Sequence, residues 1–232
     1  PINKKIYYKK ILNLLTRIQN IKTKYQKTFL KNNYKVPDYS LKKLLDESNL
    51  FLDWYLPKYV KRGKSRILKI KFNKIFKKLL NNIYYKNKVF VHRDFHISNL
   101  MITKKGLGLI DSQDAVYGNI AYDLASLIDD VRFKTDIKTK NYIFDEFIKK
   151  NKQLNLKKFK NDFEILSVLR NLKIIGIFTR LSERDKKNKY LKLIPHAWEL
   201  IDYRTLNNPI FKDLKYLLSK NFDRKIRKSY EN

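Results

Sequence analysis

The sequence predicts an α+β fold that is mostly α, with one small β element carrying its chemistry. Three observations lead there. Only 5 glycines and 5 prolines interrupt 232 residues, so helices have few breakers to stop them. Apolar residues recur at helical spacing through most of the chain. Between Lys88 and Ile110 that period gives way to short apolar runs separated by turn residues, and it resumes after Gly118.

The first helix is expected over residues 6–21, where Ile6, Ile11, Leu14, Leu15 and Ile18 share one face among lysines and asparagines. Pro37 and Asp38 break the pattern at residues 34–39. Ser40 is suited to N-cap the next helix, which runs through Leu44, Leu45 and Asn49, with Pro57 helping to end it. Residues 61–65 read as a basic turn around Gly63. Residues 67–85 are again amphipathic, with Leu68, Phe72, Ile75, Phe76, Leu79, Leu80 and Ile83 inward. A β run at residues 88–91 then delivers the loop that starts at His92. Residues 99–102 and 108–110, joined by a turn at Lys104, Lys105 and Gly106, read as a β-hairpin. Helical spacing returns at residues 122–131 and is strongest over 136–150, 159–181 and 190–201. No internal repeat or low-complexity linker divides the chain, and a single domain over residues 1–232 is expected.

Composition narrows the function classes. With 43% apolar and 14% aromatic residues, the chain is not wholesale disordered. No apolar run approaches the roughly 18–20 residues that cross a bilayer, and the basic N-terminus has no apolar stretch of a signal peptide behind it. No membrane association is expected. Zero cysteines exclude a disulfide framework and thiolate chemistry, and fit a cytoplasmic location. The net charge of +31 raises the question of nucleic-acid binding. The cations are mostly lysines spread through every segment, whereas arginine, the better reader of phosphates and base edges, is scarce. The expected reading is a basic surface that attracts anionic nucleotides, with no nucleic-acid partner.

One block concentrates the chemistry. His92-Arg-Asp-Phe-His-Ile-Ser-Asn99 is followed by a hairpin that ends at Asp111. Phosphoryl transfer needs a carboxylate facing the acceptor hydroxyl and oxygen ligands for magnesium, and Asp94, Asn99 and Asp111 supply them in the kinase order. Asp94 is the candidate catalytic base. Asn99 and Asp111 are candidate ligands for Mg2+, which takes a few hard oxygens and keeps water and nucleotide in its remaining positions. His92 is expected to brace the loop by hydrogen bonding rather than to do acid–base work, and Arg93 to offset local negative charge. The competing reading makes each residue ordinary turn chemistry. Against it stands their joint occurrence within twenty residues, on the strand, loop and hairpin context the motif requires. A zinc site on His92 and His96 lacks a third ligand of the usual kind.

The block resembles the aminoglycoside phosphotransferase/choline-kinase superfamily, through His92–Asn99, Ile110-Asp-Ser-Gln-Asp-Ala-Val-Tyr-Gly118 and Ala121-Tyr-Asp-Leu-Ala125. Leu50-Phe-Leu-Asp-Trp-Tyr55, Asn171-Leu-Lys-Ile-Ile-Gly-Ile-Phe-Thr-Arg180 and Arg184-Asp185 resemble the branch of anomeric N-acetylmuramate/N-acetylglucosamine kinases. The resemblance implies a protein-kinase-like C-terminal lobe using ATP and magnesium on a small-molecule hydroxyl, with an amino sugar of cell-wall recycling as acceptor. Choline-type and aminoglycoside-type acceptors stay open. It makes Asp123 a buried brace of the catalytic loop; the plainer reading is a charge at a helix N-terminus. Glu47, Asp53 and Trp54 would line a sugar pocket, or else be a core aromatic beside solvated acids. Arg180 and Arg184 would meet a substrate anion, or else be surface cations. His196 has no evident partner.

Two departures stand out. The family places an aromatic residue after the metal-binding Asp, whereas this chain has Ser112. The family's N-terminal β lobe, with its phosphate-covering loop and nucleotide-binding Lys, has no counterpart here. The expectation is a C-terminal lobe, truncated or served by a separate N-terminal lobe. Acting alone it would be a catalytically incomplete binding lobe.

Overall fold

The computed structural model describes residues 4–22, 25–27, 33–86, 89–104 and 106–230. In chain order the elements begin with α1 (Lys4–Gln19), β1 (Tyr25–Lys27), β2 (Asn33–Lys35) and α2 (Leu41–Leu50). A π-helical turn (Phe51–Tyr55) leads into α3 (Leu56–Tyr59) and α4 (Arg62–Asn81). The β segment comprises β3 (Val89–Val91), β4 (Leu100–Thr103), β5 (Gly106–Leu109) and β6 (Val116–Gly118). Helices follow: α5 (Tyr122–Ile128), α6 (Ile137–Lys150), α7 (Leu156–Glu183), α8 (Ile194–Thr205), α9 (Lys212–Asn221) and α10 (Arg224–Arg227). The fold is mostly helical. It divides into two compact units, Pro1–Ser40 with Tyr84–Phe163, and Leu41–Ile83 with Glu164–Asn232.

In the first unit α1 packs on α6 and β3, burying Ile11, Leu12 and Leu15 as their spacing requires. Asp136 caps α6, accepting the Thr139 amide at 2.8 Å, and turns Ile143 and Phe147 inward. Phe144, Phe147, Phe159 and Phe163 form one aromatic cluster. β3 pairs antiparallel with β6, Phe90 opposite Tyr117, and β4 with β5, Leu100 opposite Leu109. Pro37 and Tyr39 lie against β6 through Tyr117 N to Pro37 O (2.8 Å) and Tyr39 N to Tyr117 O (2.7 Å). Gly118 lets these layers close: an added Cβ would stand 2.9 Å from Val91 Cγ2.

The second unit is all helix among its described residues. Phe51, Tyr55, Trp198 and Phe222 meet in its core with ring centroids 5.3–5.9 Å apart. Gly176 of α7 touches the α2 terminus so closely that a Cβ would overlap the Leu50 carbonyl and Phe51 amide.

Several expectations change. Pro57 does not end its helix, because it stands at the start of α3, where the missing amide has no partner to lose. The expected basic turn at residues 61–65 is the first turn of α4. That helix stops at Asn81, short of residue 85, because Asp162 takes the amides of Tyr84 and Tyr85 at 2.9 and 2.8 Å. α5 ends at Ile128, before residue 131. The β1–β2 hairpin and the β3–β6 pairing were not expected. Lys88 and Lys105, placed in the expected strand and turn, lie outside the described residues.

Candidate active site

β3 carries buried Phe90 and Val91 up to the sharp bend at His92 and Arg93. Arg93 adopts a left-handed backbone, φ 75°, uncommon for a residue with a Cβ. Asp123, on the first turn of α5 and fully buried, accepts the His92 amide at 2.7 Å and the Arg93 amide at 3.0 Å. Two charge-assisted bonds and the helix N-terminus offset the cost of burying that carboxylate. Arg93 reaches the Asp114 carbonyl at 3.2 Å and lies 5.4 Å from the Tyr39 ring centroid.

Asp94 follows, its side chain exposed. Its carbonyl accepts the His96 amide and the Asn99 side-chain amide, each at 3.0 Å. Asn99 therefore spends its nitrogen on the loop and keeps its side-chain oxygen for something else. The Asn99 carbonyl accepts the Ile110 amide at 3.1 Å, adding a rung to the β4–β5 register beyond Leu100 and Leu109. Asp111 comes next, also left-handed at φ 71° and ψ 41°, its Oδ1 accepting from Gln113 Nε2 at 3.3 Å. Ser112 opens the 3-10 turn Ser112–Asp114 and is exposed. Asp94, Asn99 and Asp111 thus rise from two loops joined by a shared backbone rung.

The expected side-chain brace at His92 is not made: the ring is buried with neither nitrogen at hydrogen-bond geometry to a partner, and it is the His92 backbone amide, held by Asp123, that ties the loop. Burial pushes the His92 pKa down, opposed by the Asp94 charge, by the carbonyls of Ile110 and Asp94, and by Asp111.

Lys and Arg number 53 in this chain, yet among the described residues no cation pairs with Asp94 or Asp111. The donor set is one neutral amide oxygen and one carboxylate, a small number of hard oxygens of the kind magnesium accepts alongside water and phosphate. The residues fit that ion. Among the described residues no three His, Asp or Glu side chains gather as a metal site.

The five residues expected around an acceptor all belong to the second unit. Glu47 of α2 accepts from Lys173 Nζ at 2.7 Å, both side chains mostly buried. Asp53 and Trp54 lie on the π-helical turn, a backbone form that recurs at functional sites. Asp53 is paired with Lys69 at 2.9 Å in the open, and Trp54 is half-buried. Arg180 is half-buried on α7. Arg184 pairs with its neighbour Asp185 at 2.7 Å on the surface. His196 does have a partner, Glu199 Oε2 at 2.8 Å from its Nδ1.

Sequence reasoning missed two buried polar clusters of the first unit. Asp162 accepts the Tyr84 and Tyr85 amides and Asn119 Nδ2 at 2.8 Å, while Asn119 Oδ1 accepts the Ala121 amide. This clasp sets the approach to β3 and the start of α5 together. Lys140 is buried against Asp129 at 2.7 Å. Asp162 lies in an amphipathic stretch where a polar residue reads as solvated, so no local pattern signals it.

The sequence pattern of the phosphotransferase enzyme family matches residues 6–148. The chain is 36% identical over 169 residues to the N-acetylmuramate/N-acetylglucosamine kinase of Neisseria meningitidis serogroup B, covering 69% of this chain and 50% of that protein. It is 28% identical over 190 residues to the kinase of the same name from Pseudomonas aeruginosa, covering 79% and 56% respectively. A third, from Caulobacter vibrioides, is 32% identical over 132 residues, 55% of this chain. The chain spans about half the length of the curated relatives it matches.

Proposed function

The chain belongs to the phosphotransferase enzyme family, and from that premise we infer that it is the helical lobe of an ATP-dependent kinase for a small-molecule hydroxyl. In this reading both compact units form one C-terminal lobe. The single observation that carries it is the pair of carboxylates, Asp94 and Asp111, which hold no cation among the described residues of a lysine-rich chain and are joined through Asn99. Asp94 orients the acceptor hydroxyl and takes its proton as the γ-phosphoryl group moves. Asn99 and Asp111 hold magnesium through their side-chain oxygens. The ion, when bound, neutralises phosphate charge and aligns ATP for transfer. Asp123 fixes the His92–Arg93 bend through its two amide bonds and so keeps Asp94 in place; Arg93 ties that bend to the segment after Asp111.

The acceptor is assigned as an amino sugar, because the relatives named above act on N-acetylmuramate and N-acetylglucosamine by name. Glu47, Asp53, Trp54, Arg180 and Arg184 are the side chains proposed to meet it. The remainder of the ATP site is assigned to an N-terminal β lobe, and the reaction to the cytoplasm.

The test joins this chain to a nucleotide-binding lobe of the family and follows ATP consumption across amino sugars, choline and aminoglycosides. Consumption with an amino sugar that falls by about 10²–10⁴-fold in Asp94→Asn supports the reading, as does loss of magnesium-dependent turnover in Asp111→Asn. Failure to consume ATP with every acceptor rejects it in favour of a binding lobe without turnover.

A further inference from the structure

The amino end of α4, in the second unit, has features that the phosphotransferase reading does not use. The chain enters it from Val60 in extended conformation. Lys61 then occupies the cap position but gives no side-chain hydrogen bond, and no acidic residue occurs in the first turn. Ser65 N, bonded to the Lys61 carbonyl at 2.9 Å, makes the first helical bond. The amides of Arg62, Gly63 and Lys64 therefore face outward uncapped, at the positive end of a 20-residue helix. Nothing lies within 4 Å of a Cβ built on Gly63, so the backbone there can be approached closely.

Beside this helix end is a cavity of about 320 Å³ lined by Pro57, Val60, Arg62, Ser65, Arg66 and Lys69. Arg62 and Arg66, one turn apart, have no acidic partner among the described residues; Lys69 is occupied by Asp53. Ser65 supplies a second, independent observation. It is only 6% exposed and lines the cavity, and its hydroxyl has no hydrogen-bond partner among the described residues. An unpartnered hydroxyl at the cavity wall is available to donate to a bound acceptor oxygen. Gly63-Lys64-Ser65 at a helix start has the residue types with which phosphate loops finish, though the glycines that wrap a polyphosphate are missing.

We propose that this cavity is a binding site for a small phosphate monoester, distinct from the Asp94–Asp111 block. The phosphate oxygens take the uncapped amides, the Ser65 hydroxyl and the guanidinium groups of Arg62 and Arg66, whose planar forks suit it. Pro57 and Val60 form an apolar wall for the organic half of the ester. One or two phosphate oxygens suffice for the donors available, and no bond is made or broken.

The experiment titrates the chain with inorganic phosphate, glucose 6-phosphate and glucose at about physiological ionic strength, following backbone amide resonances and heat. The expected result is saturable movement of the Gly63, Lys64 and Ser65 amides with both phosphates and none with glucose. Glucose 6-phosphate binding tighter than inorganic phosphate assigns the ester, and equal binding assigns a bare phosphate site and removes the organic half of the proposal. Arg62→Gln with Arg66→Gln weakens binding about tenfold or more, Ser65→Ala about threefold or more, and exposed Lys74→Gln on the same helix leaves it within about twofold. Thermal melts of each variant establish that it is folded. Shifts spread over lysines throughout the chain, an equal response to Lys74→Gln, or a single-stranded oligonucleotide that binds alike with and without the arginines would assign the effect to overall charge and overturn the proposal.

Discussion

The acids proposed to meet the acceptor and those proposed to carry phosphoryl transfer have different surroundings. In the second unit Glu47, Asp53 and Asp185 each hold a lysine or arginine, at 2.7, 2.9 and 2.7 Å. In the first, Asp94 and Asp111 hold none among the described residues, and Asp123 accepts the backbone amides of His92 and Arg93. With more than twice as many basic as acidic residues (53 against 22), cations are at hand for most carboxylates on this surface. A paired acid has its charge spent, and an unpaired one keeps its negative potential for a cation that arrives later.

Substitutions can break or sharpen that contrast. The largest effect on stability is expected at Asp123, where Asp123→Ala strands two amides in the interior and should cost about 3–5 kcal/mol in urea unfolding. Should the loss be under about 1 kcal/mol, the His92–Arg93 bend is held by something else. At Glu47, Glu47→Gln leaves Lys173 mostly buried with a neutral partner, for an expected loss of about 1–3 kcal/mol.

Smaller still is the effect of pH through His92. Its pKa is lowered in the folded protein, so the unfolded chain binds the proton more readily. The stability this residue contributes is present above the unfolded value near 6.5 and is lost as pH falls through the folded one. Urea midpoints should decline below about pH 6.5, and His92→Gln should decline less. At the bottom of the scale, Asp53→Asn removes an exposed pair and should change stability by under about 0.5 kcal/mol, while any larger effect on acceptor affinity would mark Asp53 as a sugar contact.

The sequence showed the fold where the signal is local. Ile11, Leu12 and Leu15 repeat at helical spacing, and the glycines of Gly106-Leu-Gly-Leu109 punctuate a hairpin, so α1 and β4–β5 could be read directly. The candidate site was legible for a different reason: the chemistry demands particular side chains at fixed separations, and Asp94, Asn99 and Asp111 satisfy both. Long-range pairing leaves no such trace. β3 and β6 have three residues each and find one another across intervening chain, and Asp162 clasps Tyr84 from 78 residues away. Pro57 misled because a proline is judged by its immediate neighbours, whereas the π-helical turn before it resets which amides have partners.

Arg93 and Asp111 carry a last consequence. Both hold backbone angles that glycine adopts without steric penalty, at about 1 kcal/mol or more for a residue with a Cβ, and each stands at a corner from which the proposed reactants are reached. Glycine at Asp111 should therefore make a sturdier protein, by up to about 1 kcal/mol, and a poorer instrument, whereas glycine at Arg93 also gives up the contacts to Asp114 and Tyr39 and gains less. Wherever durability and activity are found to move in opposite directions in this molecule, these two corners are the first place to look.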